Sequence, residues 1–379
     1  MIFVGAAVFT TIALALRQSL LVAYILLGVV VRYLGMDYVA DKEFVHYSGD
    51  IGIIFLLFLL GLHLDPIRLV EQMKRVSRTG VLSSVAFFMM GMGVMKAMGY
   101  SLSASIFVGF ASMFSSTIIG LKLMPSQMML PGAIGEVMIS ILLLQDFLAM
   151  IVLFLLHQMA EPHMSWISLG ILSILLPIIL VVSFRVVDMV IEPLMSKHQR
   201  IREYLFLLAI AWGLGLAVMA EGIGISYEIG AFIAGISLAH LRLANYLSET
   251  LMPLRDFFLV IFFFAVGMNI SPDVVPRIVV PAFILASITL VVKILIYRGL
   301  LMRQGLVEEQ SIELGYRLGQ GSEFTILMTE VAKNFKFITP AISNLMELST
   351  LITFLVSSFL VVRYYRTPIK RSTTTLDDD

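Results

Sequence analysis

The chain has 379 residues, 59% of them hydrophobic and only 14% charged, and its 26 Lys and Arg balance 26 Asp and Glu to a formal net charge of zero. That composition excludes a soluble globular domain, and the charge balance, with no long basic or acidic run, excludes a nucleic-acid partner. The lack of cysteine excludes disulfides and thiolate metal sites.

Apolar runs recur along the whole length, and those of about 18 residues or more can cross the ~30 Å hydrocarbon core of a bilayer as helices. Runs such as Ile141 to Leu156 and Ile167 to Val182 are almost continuously apolar. A transmembrane β-strand would instead alternate in polarity over ~10 residues. The expected fold is therefore all-α and polytopic.

In chain order the pattern predicts about thirteen spans: residues 2–16, 19–34, 49–63, 79–97, 102–123, 132–157, 165–187, 203–220, 223–240, 250–269, 277–298, 311–332 and 340–362. The first begins almost at Met1 with neither a basic leader nor a small-residue cleavage site, so a retained N-terminus is expected. Residues 1–366 read as one transmembrane domain and residues 367–379, TPIKRSTTTLDDD, as a short cytoplasmic tail. With the N-terminus outside, RLVEQMKRVSR, SKHQRIR, Arg298 with Arg303, and RYYRTPIKR all fall on the cytoplasmic side. About 18 of the Lys and Arg are then cytoplasmic, which satisfies the positive-inside rule for an odd number of spans.

An internal repeat is legible. Residues 55–66 read FLLFLLGLHLDP and residues 261–272 read IFFFAVGMNISP, an offset of 206 residues. The same offset carries Ser115–Ile118 (SSTI) onto Gly321–Phe324 (GSEF), so two polar interruptions of apolar spans occupy equivalent positions. The predicted architecture is two six-helix repeats, about 1–158 and 203–362, separated by a linker helix at 165–187. The unpaired linker inverts the second repeat and places a broken helix at the fifth position of each.

Asp146, beside Gln145, lies midway along the sixth span. An ionised carboxylate at that depth costs at least ~2.5 to 3.5 kcal/mol, so it must face protein or a water-filled cavity. A neutral Asp hydrogen-bonded between helices is one reading. The other is a site that holds either a proton or a metal cation, the minimum chemistry for exchange.

FSSTIIG, with Ser115, Ser116 and Thr117, and LGQGSEFTIL, with Gly319, Gln320, Gly321, Ser322 and Glu323, are the candidate breaks. Small and hydroxyl residues let backbone unwind where it lines a cavity, although either segment alone fits ordinary close helix packing. Lys293 in the eleventh span either snorkels or neutralises a carboxylate, and Arg317 anchors a carboxylate or a helix C-terminus. Glu136 and Glu228 fit the cytoplasmic and external approaches, and His63 reads as interfacial. The chain has no P-loop, nucleophile elbow or HExxH, so an enzyme is not expected and no cofactor is implied. Transport remains, with three classes open: a cation:proton antiporter, a gated cation channel, or a sodium-coupled symporter of organic anions.

FLLGLHLDP, SST, LLLQDF, GAFIAGISLA, FFFAVGMNI and QGSEF, in that order, resemble the membrane domain of the Kef-type monovalent cation:proton antiporters of bacteria, within the sodium/proton exchanger superfamily. The resemblance implies a homodimer in the inner membrane of a prokaryote, a mobile core domain, and elevator-like alternating access. It places the ion-binding carboxylate on Asp146, where the cation binds, and the family's lysine on Lys293. Its preceding position is Asp in electrogenic relatives and Asn in many others. Gln145 is the pattern of the potassium-efflux branch, which implies exchange of one K⁺, or Na⁺, for one H⁺. Two positions depart from the family pattern: His63 stands where Glu is usual and Ser322 where Gly is common. Potassium-efflux members usually continue into a cytosolic nucleotide-binding domain, so a separate or truncated regulatory domain, or different regulation, is expected.

Overall fold

The computed structural model describes residues 2–16, 18–35, 42–63, 66–125, 128, 134–160, 166–270 and 273–367. The reading of 368–379 as a tail, and the Leu64–Asp65 and Ser271–Pro272 positions of the repeat motif, lie outside these residues. Every regular element described is helical. The helices are α1 (Ile2–Ala15), α2 (Leu20–Tyr33), α3 (Lys42–His63), α4 (Pro66–Ala97), α5 (Leu102–Ser112), α6 (Thr117–Lys122), α7 (Ile134–Ala160), α8 (Trp166–Val186), α9 (Glu192–Lys197), α10 (Arg202–Gly222), α11 (Tyr227–Leu238), α12 (Ala244–Asn269), α13 (Val275–Arg303), α14 (Glu308–Arg317), α15 (Glu323–Asn334) and α16 (Pro340–Tyr364). A π-helical segment, Val187–Ile191, joins α8 to α9.

Among the described residues, seven helical segments are long and apolar enough to cross a membrane, and four shorter apolar helices accompany them. With α8 and the interrupted pair α14–α15, each of the thirteen predicted spans corresponds to a helix or a helix pair. The order is α1 to α4, the pair α5–α6, then α7; α8 follows; then α10 to α13, the pair α14–α15, and α16. Two six-helix sets with the interruption at the fifth place of each flank an unpaired helix, so the second set is inverted relative to the first.

The chain divides into two compact units that cut across these sets. One comprises Met1–Val39, Gln72–Ala149 and Val266–Asp379, and the other Ala40–Glu71 and Met150–Ala265. In the first unit α13 packs against α14 and α16, and α15 against α16 and α5. Its core joins Phe87, Met138, Ile141, Leu142, Tyr297 and Leu314. In lipid, burying apolar surface between helices gives little driving force, so close packing and polar bonds hold such a unit together.

The second unit shows that packing most plainly. α11 carries small residues on opposite faces. A Cβ on Gly235 would lie 2.0 Å from Phe58 O on α3, one on Gly61 of α3 would lie 2.3 Å from Phe232 O, and one on Gly230 would lie 2.7 Å from Leu216 O on α10. The helices touch backbone to backbone, which no larger residue allows. Gly224, at φ +85°, makes the left-handed turn from α10 into α11.

Gly235→Ala and Gly61→Ala should each lower stability by roughly 1 to 3 kcal/mol through overpacking, read as a lower melting temperature of the detergent-solubilised protein. Gly215→Ala, with open space around it, should be neutral or slightly stabilising. Equal melting temperatures for all three variants would show that the close approach does not govern stability.

Candidate functional site

Both broken helices restart with the same device. α5 ends at Ser112, and Ser116 caps α6, its Oγ accepting from Ile119 N at 3.1 Å. α14 ends at Arg317, and Ser322 caps α15, its Oγ accepting from Phe324 N at 3.1 Å. The capping serines stand at the repeat offset, as do Thr117 and Glu323, the first residues of the two half-helices. Serine is favoured at an N-cap because its hydroxyl satisfies one of the amides that a helix start leaves bare.

The two links cross and are bonded to each other. Ser115 Oγ donates to Leu318 O at 2.8 Å, Gln320 Nε2 to Ser116 O at 3.3 Å, and Thr325 Oγ1 to Ala111 O at 2.6 Å. Glu323 reaches across, its Oε1 accepting from Ile118 N at 3.3 Å. A carboxylate from one half-helix therefore sits at the positive N-terminus of the other. From α16, Thr353 Oγ1 accepts from Gly321 N at 2.9 Å, and Ser357 Oγ donates to Gln320 Oε1 at 3.0 Å. A Cβ on Gly321 would lie 3.1 Å from Thr350 Cγ2 and 3.2 Å from Thr353 Oγ1, a tight fit.

Lys293 closes the opposite polarity. Fully buried on α13, its Nζ donates to Phe114 O at 2.5 Å and Gln320 O at 3.0 Å, with Ser115 Oγ at 3.4 Å and the Phe87 ring centroid at 5.0 Å. Each carbonyl lies just past the C-terminus of a half-helix, where the helix dipole is negative. Of the two readings of this lysine, snorkelling is excluded by its burial. Its hydrogen bonds go to backbone carbonyls, not to a carboxylate.

Gln145 does related work on the first break. Its Oε1 accepts from Ser115 N at 3.1 Å, and its Nε2 donates to Met113 O at 3.1 Å and Tyr297 Oη at 2.8 Å. Its amide is thus fully committed. Tyr297, with its ring edge-on to Phe87 at 5.2 Å, was not singled out in the sequence, though it stands one helical turn from Lys293 and so shares its face.

Asp146 follows Gln145 and is 1% exposed. Among the described residues its carboxylate accepts from one hydroxyl, Thr117 Oγ1, at 3.1 Å to Oδ1 and 2.9 Å to Oδ2. That hydroxyl carries a single proton, whereas an ionised carboxylate has about four acceptor positions. Glu323, across the crossing, has its Oε2 buried with no hydrogen-bond partner among the described residues.

The remaining predicted residues lie apart from this constellation. Arg317 pairs with Glu313 at 2.7 Å and donates to Leu123 O at the end of α6 and to Arg366 O, so it anchors both a carboxylate and a helix C-terminus. His63 bonds Ser248 Oγ at 2.7 Å, and Glu228 lies 3.7 Å from His157 Nε2, both within the second unit. Glu136 is engaged near the start of α7.

Crossed half-helices beside a buried carboxylate are the architecture of inverted-repeat secondary transporters, a class that builds its substrate and ion sites from discontinuous helices. Over residues 3–366 the chain matches the family model for the transmembrane sodium/hydrogen exchanger. It is a member of that family, a multi-pass cation:proton antiporter and not an enzyme. Among solved structures, it is similar to that of the sodium proton antiporter MjNhaP1 from Methanocaldococcus jannaschii at pH 8. The TM-score is 0.72 at 16% identity, with 96% of this chain and 94% of that one covered. An electron-microscopy structure of MjNhaP1 matches over the same shares with a TM-score of 0.68 and 16% identity.

Lys293→Met would leave two buried carbonyls without a donor and should destabilise the protein by roughly 2 to 6 kcal/mol. Tyr297→Phe, which removes one partner of the Gln145 amide, should lose only about 1 kcal/mol. Melting temperatures in detergent check the order, and a Lys293→Met variant as stable as wild type would refute the bonding scheme.

Proposed function

We propose that the protein exchanges one monovalent cation, K⁺ in preference to Na⁺, for one H⁺, and that Asp146 binds both in turn. The observation that carries this reading is the bonding of Asp146: a carboxylate buried midway along α7 and supported, among the described residues, by a single hydroxyl, that of Thr117 at the start of α6. An ionised carboxylate held this way is under-solvated and requires a positive partner, which a proton or a cation supplies equally.

The charges nearby support a one-for-one stoichiometry. Glu323 lies at the positive N-terminus of α6 and Lys293 against two negative helix ends, so Asp146 is the carboxylate left to balance, and a single further positive charge does so. Gln145 is neutral and adds nothing to that count. A neutral neighbour is the feature that favours the potassium-efflux branch, and with it K⁺. Thr117 Oγ1, the oxygens of Asp146 and the carbonyls of the unwound links are the candidate cation ligands. Selectivity then depends on how many of them one ion can reach at once.

Elevator-type alternating access is the motion that leaves this site intact. Asp146, Thr117, Glu323, Lys293, Gln145 and both breaks all belong to one compact unit. The site can therefore travel without losing the hydrogen bonds that satisfy its backbone.

In proteoliposomes, Asp146→Asn should abolish cation-driven proton movement, while Gly215→Ala exchanges at the wild-type rate. Undiminished exchange in Asp146→Asn would sink the assignment. If one site serves both ions, the apparent cation KM should rise by up to about tenfold for each unit fall in pH at the acidic end, with the maximal rate unchanged. A KM independent of pH would separate the two sites. Exchange measured in turn with K⁺, Na⁺, Li⁺ and Rb⁺ tests the K⁺ preference, and a rate insensitive to a clamped membrane potential is the expected sign of electroneutrality.

A further inference from the structure

One carboxylate of the same compact unit takes no part in the crossing. Glu347 on α16 is 2% exposed. Its Oε1 accepts from Ser343 Oγ at 2.8 Å, and its Oε2 is buried without a hydrogen-bond partner among the described residues. On α15, which packs against α16, Lys333 and Glu330 pair with each other at 2.5 Å. Several charged residues of the other helices packed on α16 are engaged elsewhere. On α13, Lys293 serves the crossing and Arg298 pairs with Glu308; on α14, Arg317 pairs with Glu313; Arg32 of α2 is itself engaged.

From Glu347 a polar seam leads back to the crossing. Along α16, Glu347, Thr350, Thr353 and Ser357 recur at three- and four-residue spacing, and along α15 so do Thr325, Thr329 and Lys333, so each set lines one helix face. Between α5, α13, α15 and α16 lies a small cleft with room for about one water, lined by Ser112, Thr289, Thr325, Ser349, Thr350 and Thr353, and Glu347 stands one turn before Thr350 on α16. The hydroxyls of Ser112, Thr325 and Thr353 donate to Val108 O, Ala111 O and Thr350 O. The cleft lining includes Gly321, whose N–H bonds Thr353, and one turn further along α16 Ser357 bonds Gln320. The seam thus meets the break that carries Glu323.

A half-satisfied buried carboxylate is expensive if its role is only structural, because a glutamine there would need no counter-charge. A group that gains and loses a proton must be a carboxylate. Hydroxyls both donate and accept, and with water between them they pass a proton along without net change.

We propose that Glu347 is a second proton-exchanging carboxylate, which loads and unloads protons for the crossing through the cleft between α15 and α16. Protonated Glu347 releases its proton towards the cleft and becomes a carboxylate that Ser343 Oγ continues to support. The proton is taken up by Glu323, whose Oε2 is free to bind it two residues beyond Gly321, and then by Asp146. The reverse sequence reloads Glu347. This rests on the assignment of Asp146 as the shared site.

The test is exchange in proteoliposomes made with purified full-length variants, measured in H₂O and D₂O. Glu347→Gln should lower the maximal rate by roughly tenfold or more, as for loss of a proton-transfer group, with the apparent cation KM within about twofold of wild type. It should also alter the ratio of rates in the two solvents, and Glu347→Asp should recover most of the rate. A wild-type rate and isotope ratio in Glu347→Gln would overturn the proposal. If that variant does not fold, Thr350→Val decides. Slower exchange at an unchanged melting temperature supports the relay, and a wild-type rate refutes it. Asp146→Asn distinguishes the two levels. Continued exchange there would remove the shared site itself, whereas silence there with wild-type behaviour in Glu347→Gln would remove only the relay.

Discussion

Breaking a helix at membrane depth exposes amides and carbonyls that no water can satisfy, at several kcal/mol for each group left bare. Two such breaks cross in this protein, and almost every polar side chain near them answers that demand. Ser116 and Ser322 cap the restarting halves, Gln145 and Thr353 take up amides of the links, and Lys293 bonds a carbonyl from each broken helix. The bonds between Ser115 and Leu318 and between Gln320 and Ser116 then tie one link to the other. The crossing is therefore a closed polar network, and such networks are stable only when nearly every member is satisfied.

Against that background the groups with spare bonding capacity stand out. Among the described residues Asp146 has one supporting hydroxyl, while Glu323 and Glu347 each have one oxygen with no partner. The contrast between saturated scaffold and under-bonded carboxylates divides the polar groups of the crossing more sharply than residue type does. Gln145 and Asp146 are neighbours in sequence and equally buried, yet the first is held by three hydrogen bonds and the second by one hydroxyl. Lys293 belongs with the scaffold, since its charge offsets two helix C-termini.

Much of the fold was legible because lipid imposes a length and a polarity on each span. The thirteen runs matched helices closely, and the fixed offset of 206 residues located both breaks, since polar residues inside apolar spans need a reason. The partners within each break were less legible. Arg317 was open between two roles and fills both, because its guanidinium has enough donors to reach Glu313 and two carbonyls at once. Thr353 and Ser357 carry no signal in the sequence because single Ser and Thr hydroxyls in a membrane helix usually bond their own backbone, and a lone tyrosine such as Tyr297 reads as ordinary packing. Only the approach of a distant segment of the same chain shows otherwise.

The sequence by itself determined the class of fold, the inverted repeat, the place of each break, and the carboxylate in the sixth span, all of which follow from hydropathy and spacing along one dimension. Tertiary structure decided which polar groups are consumed in holding the breaks and which remain under-bonded. That distinction depends on distances between α5, α7, α13, α15 and α16, segments up to some two hundred residues apart. Hydrogen bonds form or fail within a few tenths of an ångström, a scale that a sequence pattern does not carry.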